Sequence, residues 1–189
     1  MDTRSIPRPG RGIAEYREVT RQAHRAVDGV VDSLETLAQG SGSERQLAQF
    51  DRAFEQLELT SVQVRARAEA IIARGQNYFD EWKEHLNAAT IQPATRAEID
   101  RYQGLFQHFT RIRQRSSEVR EEFRPFMASL RQFRARLDQP FNSTQAGSSP
   151  AEIAALTASG RRVLKILESV SEALNRAETE LHTMRPAKQ

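Results

Sequence analysis

Hydrophobic residues recur along most of the chain in alternating steps of three and four positions. This spacing places one apolar side chain per turn on a single face of a helix. Four segments show the pattern, and they predict helices at about 13–39, 44–89, 96–139 and 150–184. The segments between them are rich in glycine, proline or serine, which mark turns and loops. We therefore expect an all-α protein in which each helix buries one narrow stripe.

The second segment has the longest regular stripe of the four. Its members are Leu47, Phe50, Phe54, Leu57, Ser61, Val64, Ala68, Ile71, Gly75, Tyr78 and Trp82. A seven-residue repeat of this length predicts a left-handed supercoil against a neighbouring helix. Ser61, Ala68 and Gly75 are small, so we expect a neighbouring helix to approach closely at these positions.

Residues that favour helix starts occur at the predicted boundaries. Ser43 is a predicted N-cap for the second helix. Thr95 and Glu98 have the spacing of a capping box at the start of the third helix. Ser149 followed by Pro150 predicts the start of the fourth, because proline suits the first helical position.

The short connections predict that consecutive helices lie antiparallel as neighbours. The two central helices are the longest, so we expect an elongated antiparallel four-helix bundle or coiled coil with a projecting hairpin. The first helix should end opposite Ala70 and the fourth opposite Arg101. Pro125 lies inside the third stripe, which continues in phase across it, and this predicts one bent helix. Residues 13–185 would form a single domain after a flexible basic arm at 1–12.

Large aromatic residues are concentrated on the predicted hairpin, where Tyr78, Phe79 and Trp82 face Tyr102 and Phe106. One interpretation is structural, since aromatic side chains bury a large area and would hold a two-helix arm together. The other is that part of the cluster, especially Phe79 and Phe106, faces outward and docks a partner or a second copy.

The third helix is rich in arginine, and Arg111, Arg113 and Arg115 form its densest run. Such a face could bind nucleic acid or anionic lipid. The alternative is pairing with acidic residues of neighbouring helices, such as Glu55 and Glu58. A formal net charge of +3 is too small to predict a nucleic-acid partner by itself.

The sequence contains no pattern that indicates a cofactor, a metal or a catalytic group. It has no cysteine, and none of its four histidines follows a glutamate by three positions, the spacing of di-metal bundle sites. It also lacks a glycine-rich phosphate loop, a His-Glu-x-x-His motif and a nucleophile elbow. No apolar run reaches the ~20 residues that span a bilayer. These patterns predict a non-enzymatic protein with no transmembrane segment and no evident small-molecule ligand.

Four stretches resemble an uncharacterised bacterial helical family, domain of unknown function 2959. They are FDEWKEHL at 79–86, RAEIDRYQGL at 96–105, VREEFRPFMASLRQF at 119–133 and IAALTASG at 153–160. Members usually carry an N-terminal secretion or lipoprotein signal, so the resemblance implies the periplasm or cell envelope. The family has no established activity. This chain lacks such a signal, which predicts a cytoplasmic protein if Met1 is the true start.

Together these features predict a structural or protein-interaction module, associated with the bacterial envelope, that presents its aromatic-rich hairpin to a partner or another copy. The alternative is a nucleic-acid-associated coiled coil that uses Arg111, Arg113 and Arg115.

Overall fold

The computed structural model describes residues 9–40, 43–88, 96–137 and 149–183, and these ranges contain four helices and no strand. The helices are α1 Pro9–Gln39, α2 Glu44–Ala88, α3 Arg96–Leu137 and α4 Pro150–Thr183. α1 packs against α2 and α4, and α4 packs against α3, whereas α2 and α3 approach each other closely at few positions. The prediction of an all-α four-helix bundle is confirmed.

Two of the predicted helix starts are observed. The amide of Gln46 donates to Ser43 Oγ at 3.4 Å, and the amide of Ser43 donates to Gln46 Oε1 at 3.1 Å. This reciprocal capping satisfies two backbone donors that the first turn leaves free. At α4, the carbonyl of Ser149 accepts hydrogen bonds from the amides of Glu152 and Ile153 at 2.8 and 3.1 Å. The predicted cap at Thr95 lies outside the described residues.

α1 begins at Pro9 rather than at residue 13, so the prediction of a flexible arm is wrong for residues 9–12. Each glycine in this first turn costs about 1 kcal/mol of helix propensity relative to alanine. Tertiary contacts offset that cost, because Glu15 is bound by Arg11 at 3.2 Å and by Arg74 of α2 at 2.5 Å. Proline is also tolerated in a first turn, where its missing N–H has no intrahelical partner.

α3 runs without interruption through Pro125, as the continuous stripe predicted. Proline removes one backbone hydrogen bond and leaves the carbonyl of the residue four positions earlier without its partner. Pro125 is exposed, so the broken part of the ladder lies on the solvent side of the helix rather than in the core.

The core is densest where all four helices meet. Phe50, Phe54, Phe126 and Phe133 are almost fully buried there, and the rings of Phe50 and Phe133 pack edge to face at 5.3 Å. A smaller cluster centred on Tyr16 lies further along the bundle. Beyond it the bundle narrows, because α1 and α4 end.

The positions where α1 and α4 end differ from the predicted ones. α1 reaches Arg74 through Glu15, about one turn beyond the predicted Ala70, and continues past this pair to Pro9. α4 pairs with α3 near its end through Glu180 and His108, short of the predicted Arg101. Between Gln76 and Ala88, which are separated by about 20 Å, aromatic rings of α2 contact aromatic rings of α3.

Candidate functional site: a groove between α2 and α3

The aromatic residues of the hairpin form one cluster between α2 and α3. The Phe79 ring lies at its centre, with centroids at 5.1–6.3 Å from five other rings. These rings belong to Tyr78, Trp82, Tyr102, Phe106 and Phe109. Phe79 is only 6% exposed, so the prediction that it faces outward is wrong: its ring fills the space between the two helices.

The other aromatic candidates are half-buried rather than exposed. Phe106 contacts the rings of Phe79 and Tyr102, at 5.4 and 5.6 Å between centroids. Trp82 packs edge to face on Tyr102 at 5.4 Å. Each ring therefore uses part of its surface to join α2 to α3, which is the structural interpretation of the cluster.

The arginines of the predicted basic face do not share a face. Successive residues of a helix are rotated by about 100°, so Arg113 lies about 200° from Arg111, whereas Arg115 lies only about 40° from it. Arg113 donates to Gln76 Oε1 of α2 at 3.0 Å, and Arg115 pairs with Glu118 of its own helix at 2.6 Å. The prediction that these three residues form one nucleic-acid-binding surface is therefore wrong.

Arginines of α3 pair with acidic residues of α2, which was the alternative prediction. Arg131 binds Glu58 at 2.8 Å. Arg134 binds Asp51 and Glu55 at 3.1 and 2.9 Å and lies over the Phe54 ring. These pairs connect the two helices at the densely packed end of the bundle.

Between these pairs and the aromatic cluster, α2 and α3 diverge and leave a groove of about 460 Å³. Arg131, which pairs with Glu58, lines one end of the groove, and Ile72 and Ser116 line the other. The α2 residues that line it run from Leu57 to Ile72, about 22 Å along the helix. The groove therefore extends over the middle third of the bundle.

The floor of the groove is apolar and comes from all four helices. Its main members are Val19, Ala23 and Val27 of α1, Val64 and Ala68 of α2, Val119, Phe123 and Met127 of α3, and Val163, Leu167 and Val170 of α4. A concave, largely apolar site of this volume is typical of ligand and peptide sites in proteins.

Two arginines of α3 stand on the rim of the groove without an acidic partner. Arg120 and Arg124 are both exposed, and neither forms a salt bridge with any residue of the described ranges. They follow the same side of α3 as Arg113 and Arg131, at spacings of seven, four and seven residues. The rim on this side is therefore positive and unneutralised along its central part.

A buried polar contact in the floor joins α1 to α3. Ser116 Oγ donates to the carbonyl of Ile112 at 2.7 Å, so the Tyr16 hydroxyl, 2.6 Å away, donates to Ser116 Oγ. Burial raises the pKa of the Tyr16 hydroxyl above 10.0, although the Ser116 hydrogen bond and the charge of Arg120 act in the opposite direction. The contact fixes α1 against α3 beneath the groove.

Small residues of both helices contribute to the open volume of the groove. Ser61 and Ala68 both line it, as does Ser116 of α3. At Gly75, the third small position, the approach is close: an added Cβ would lie 2.5 Å from the Phe109 ring. The predicted close approach is therefore confirmed at Gly75, whereas the other two positions line the groove.

A second cavity of about 420 Å³ adjoins the groove, and Tyr16 and Ile72 line both. It lies between the aromatic cluster and the ends of α1 and α4. His108 forms part of its wall and pairs through Nε2 with Glu180. The hydrogen bond from Arg74 lowers the pKa of Glu15, which lies at the mouth of this cavity.

Within the part of the chain that the structure describes, no three histidine, aspartate or glutamate side chains gather where they could hold a metal ion. In the same ranges, none of the helices is long and apolar enough to cross a membrane. Comparison with protein-family models, with curated proteins and with solved structures gives no match. The resemblance to the bacterial helical family stays a prediction.

Proposed function

We propose that the chain is a non-enzymatic protein-interaction module that binds an acidic amphipathic helix of a partner protein in the groove between α2 and α3. The observation that carries the proposal is the open groove itself, with its apolar floor and the unpaired Arg120 and Arg124 on its rim. The family resemblance adds that this partner belongs to the bacterial envelope.

The dimensions of the groove favour a helix. A length of about 22 Å corresponds to about 15 helical residues, so a peptide of about 18 residues would span it. Helices that bind in grooves use apolar anchors at i, i+3, i+4 and i+7, which would lie on the floor. The flanking residues of the bound helix would then be close to the rim of α3, where acidic side chains would neutralise Arg120 and Arg124.

The aromatic hairpin has a different role in this proposal from the one its sequence indicated. Its rings hold α2 and α3 together at one end, and the Phe50–Phe133 contact does so at the other. The two helices are thereby fixed at a spacing that leaves the groove open between them. A preformed groove binds with a smaller entropic cost than one that must open first.

The nucleic-acid alternative has less support. Arg111, Arg113 and Arg115 diverge around α3, and Arg113 and Arg115 already have partners. The aromatic rings that could stack on bases contact one another instead.

The test uses a labelled 18-residue peptide with leucines at helical spacing and glutamates on its flanks, and a second peptide with lysines on the flanks. Fluorescence anisotropy should show that the acidic peptide binds the wild-type chain more tightly. In the Arg120→Glu/Arg124→Glu variant, the lysine peptide should bind more tightly than the acidic peptide. The affinity for the acidic peptide should fall at least about tenfold, because like charges then face each other.

Arg111→Glu/Arg115→Glu is the matched control, since it makes the same charge change on another side of α3. It should leave both affinities unchanged. Failure of the acidic peptide to bind the wild-type chain, or equal binding of it to both double variants, would contradict the proposal. Binding of a long-chain carboxylate instead of the peptides would assign the groove to a small amphiphile.

A further inference from the structure

The solvent-facing side of α2 carries an apolar stripe that no part of the described chain covers. Leu59 and Val62 are 65% and 60% exposed, and no other large hydrophobic residue of the described ranges is exposed. Ala66, Ala70 and Ala73 continue the stripe and are also exposed. Val62 also lines the α2 rim of the groove, whereas none of these three alanines does, so the stripe borders the proposed helix-binding site and extends away from it.

The spacing of the stripe is symmetric about Ala66. Leu59 and Ala73 lie seven residues on either side of it, and Val62 and Ala70 lie four residues on either side. If two α2 helices pack antiparallel with their Ala66 residues in contact, Leu59 lies at the height of Ala73 of the second copy. Val62 likewise lies at the height of Ala70. Large residues then meet small ones, which allows close packing.

The charges beside the stripe are complementary in the same arrangement. Arg65 and Glu69 both lie on its α3 side, where they also line the rim of the groove. Both are exposed and form no salt bridge within the described chain. A two-fold axis at Ala66 keeps this side of one copy next to the same side of the other. Measured along the helix axis, Arg65 of each copy then lies within about two residues of Glu69 of the other copy. This allows two reciprocal ion pairs.

We infer that two copies of this chain associate through their α2 helices, antiparallel and centred on Ala66. The interface is a single helix pair, which places it at the small end of specific interfaces. The association is accordingly weak, with a dissociation constant on the order of 10 μM.

Charge exchange tests both the partner and its orientation. Arg65→Glu leaves four acidic side chains at the interface, and Glu69→Arg leaves four basic ones, so each variant alone should associate at least about tenfold more weakly than wild type. An equimolar mixture of the two variants should associate again, because every cross-copy pair is then opposite in charge. Sedimentation velocity over a range of concentrations measures all three samples.

Ala66→Glu/Ala70→Glu is the second variant, and it places charges at the centre of the apolar stripe. Both positions are exposed and glutamate is a good helix former, so the circular dichroism spectrum should be unchanged while self-association is lost. This variant should still bind the acidic peptide, which separates the inference from the proposed function. The inferred association through α2 would be overturned by a wild-type chain that stays monomeric at millimolar concentration. A mixture of the two charge variants that associates no better than its components would also overturn it.

Discussion

The α1–α4 seam and the α2–α3 seam lie on opposite sides of the same bundle, and they differ in how small residues are used. At Gly160 of α4, an added Cβ would lie 2.5 Å from Val31 and 3.1 Å from Phe126, so the seam is filled by side chains from neighbouring helices. At Ser61 and Ala68 of α2, comparable small residues line an open groove. A small residue closes a seam only where a large side chain from the next helix points toward it.

The aromatic cluster is the largest closed part of the α2–α3 seam, and its central residue should give the largest effect. Phe79→Ala removes the ring that contacts five others, and we expect a loss of about 3 kcal/mol of unfolding free energy. Trp82, the only tryptophan of the chain, contacts Phe79 and reports the change directly. Its emission should shift to longer wavelength. An unchanged spectrum and midpoint in urea would contradict the structural role of the cluster.

Gly160→Val tests the packed seam. The new side chain would overlap Val31 and Phe126, both of which are buried and have no space to move into, so we expect a loss of about 2 kcal/mol in urea unfolding. Gly29→Val is the matched control, because Gly29 is also helical but nothing lies within 4 Å of its added Cβ. Its effect should stay within about 0.5 kcal/mol. Equal effects at the two glycines would show that the seam is looser than described.

Tyr16→Phe tests the buried contact beneath the groove. Loss of its hydrogen bond to Ser116 should cost about 1 kcal/mol at neutral pH. The pKa of Tyr16 is raised in the folded chain, so the unfolded chain ionises first, and stability should fall as the pH rises through 10.0 toward the folded pKa. The variant should lose less stability than wild type over that range in pH-dependent urea unfolding. An identical alkaline decline would mean that other groups cause it.

The helix pattern in the sequence predicted the four helices, their order and most of their boundaries, because one apolar stripe per helix is a local property. It also placed Ser43 and Ser149 at helix starts and continued α3 through Pro125. The early start of α1 was missed because its glycines are poor helix formers, and the ion pairs of Glu15 that stabilise this turn come partly from α2.

The groove could not be predicted from the stripe, which shows where small residues lie but not what faces them. Gly75, Ser61 and Ala68 are all small in the sequence, yet the Phe109 ring packs on the first position and the other two line the groove. The same limit applies to Phe79, whose position beside the stripe indicated exposure although it is buried. Burial on a two-helix arm depends on which rings the opposite helix supplies, and this is a tertiary property.

The smallest effect is expected where the open seam is filled. Ala68→Leu extends an apolar side chain into the groove, where it would cover part of the floor, so we expect stability to rise by roughly 0.5 kcal/mol. Opposite signs of the change in unfolding free energy for Ala68→Leu and Gly160→Val would show that the two seams differ in free volume rather than in residue size. Because the new side chain would occupy part of the groove, the proposed function predicts that the same variant binds the acidic peptide at least about tenfold more weakly. Unchanged peptide binding in a stabilised variant would place the peptide outside the groove, even though the difference between the seams would stand.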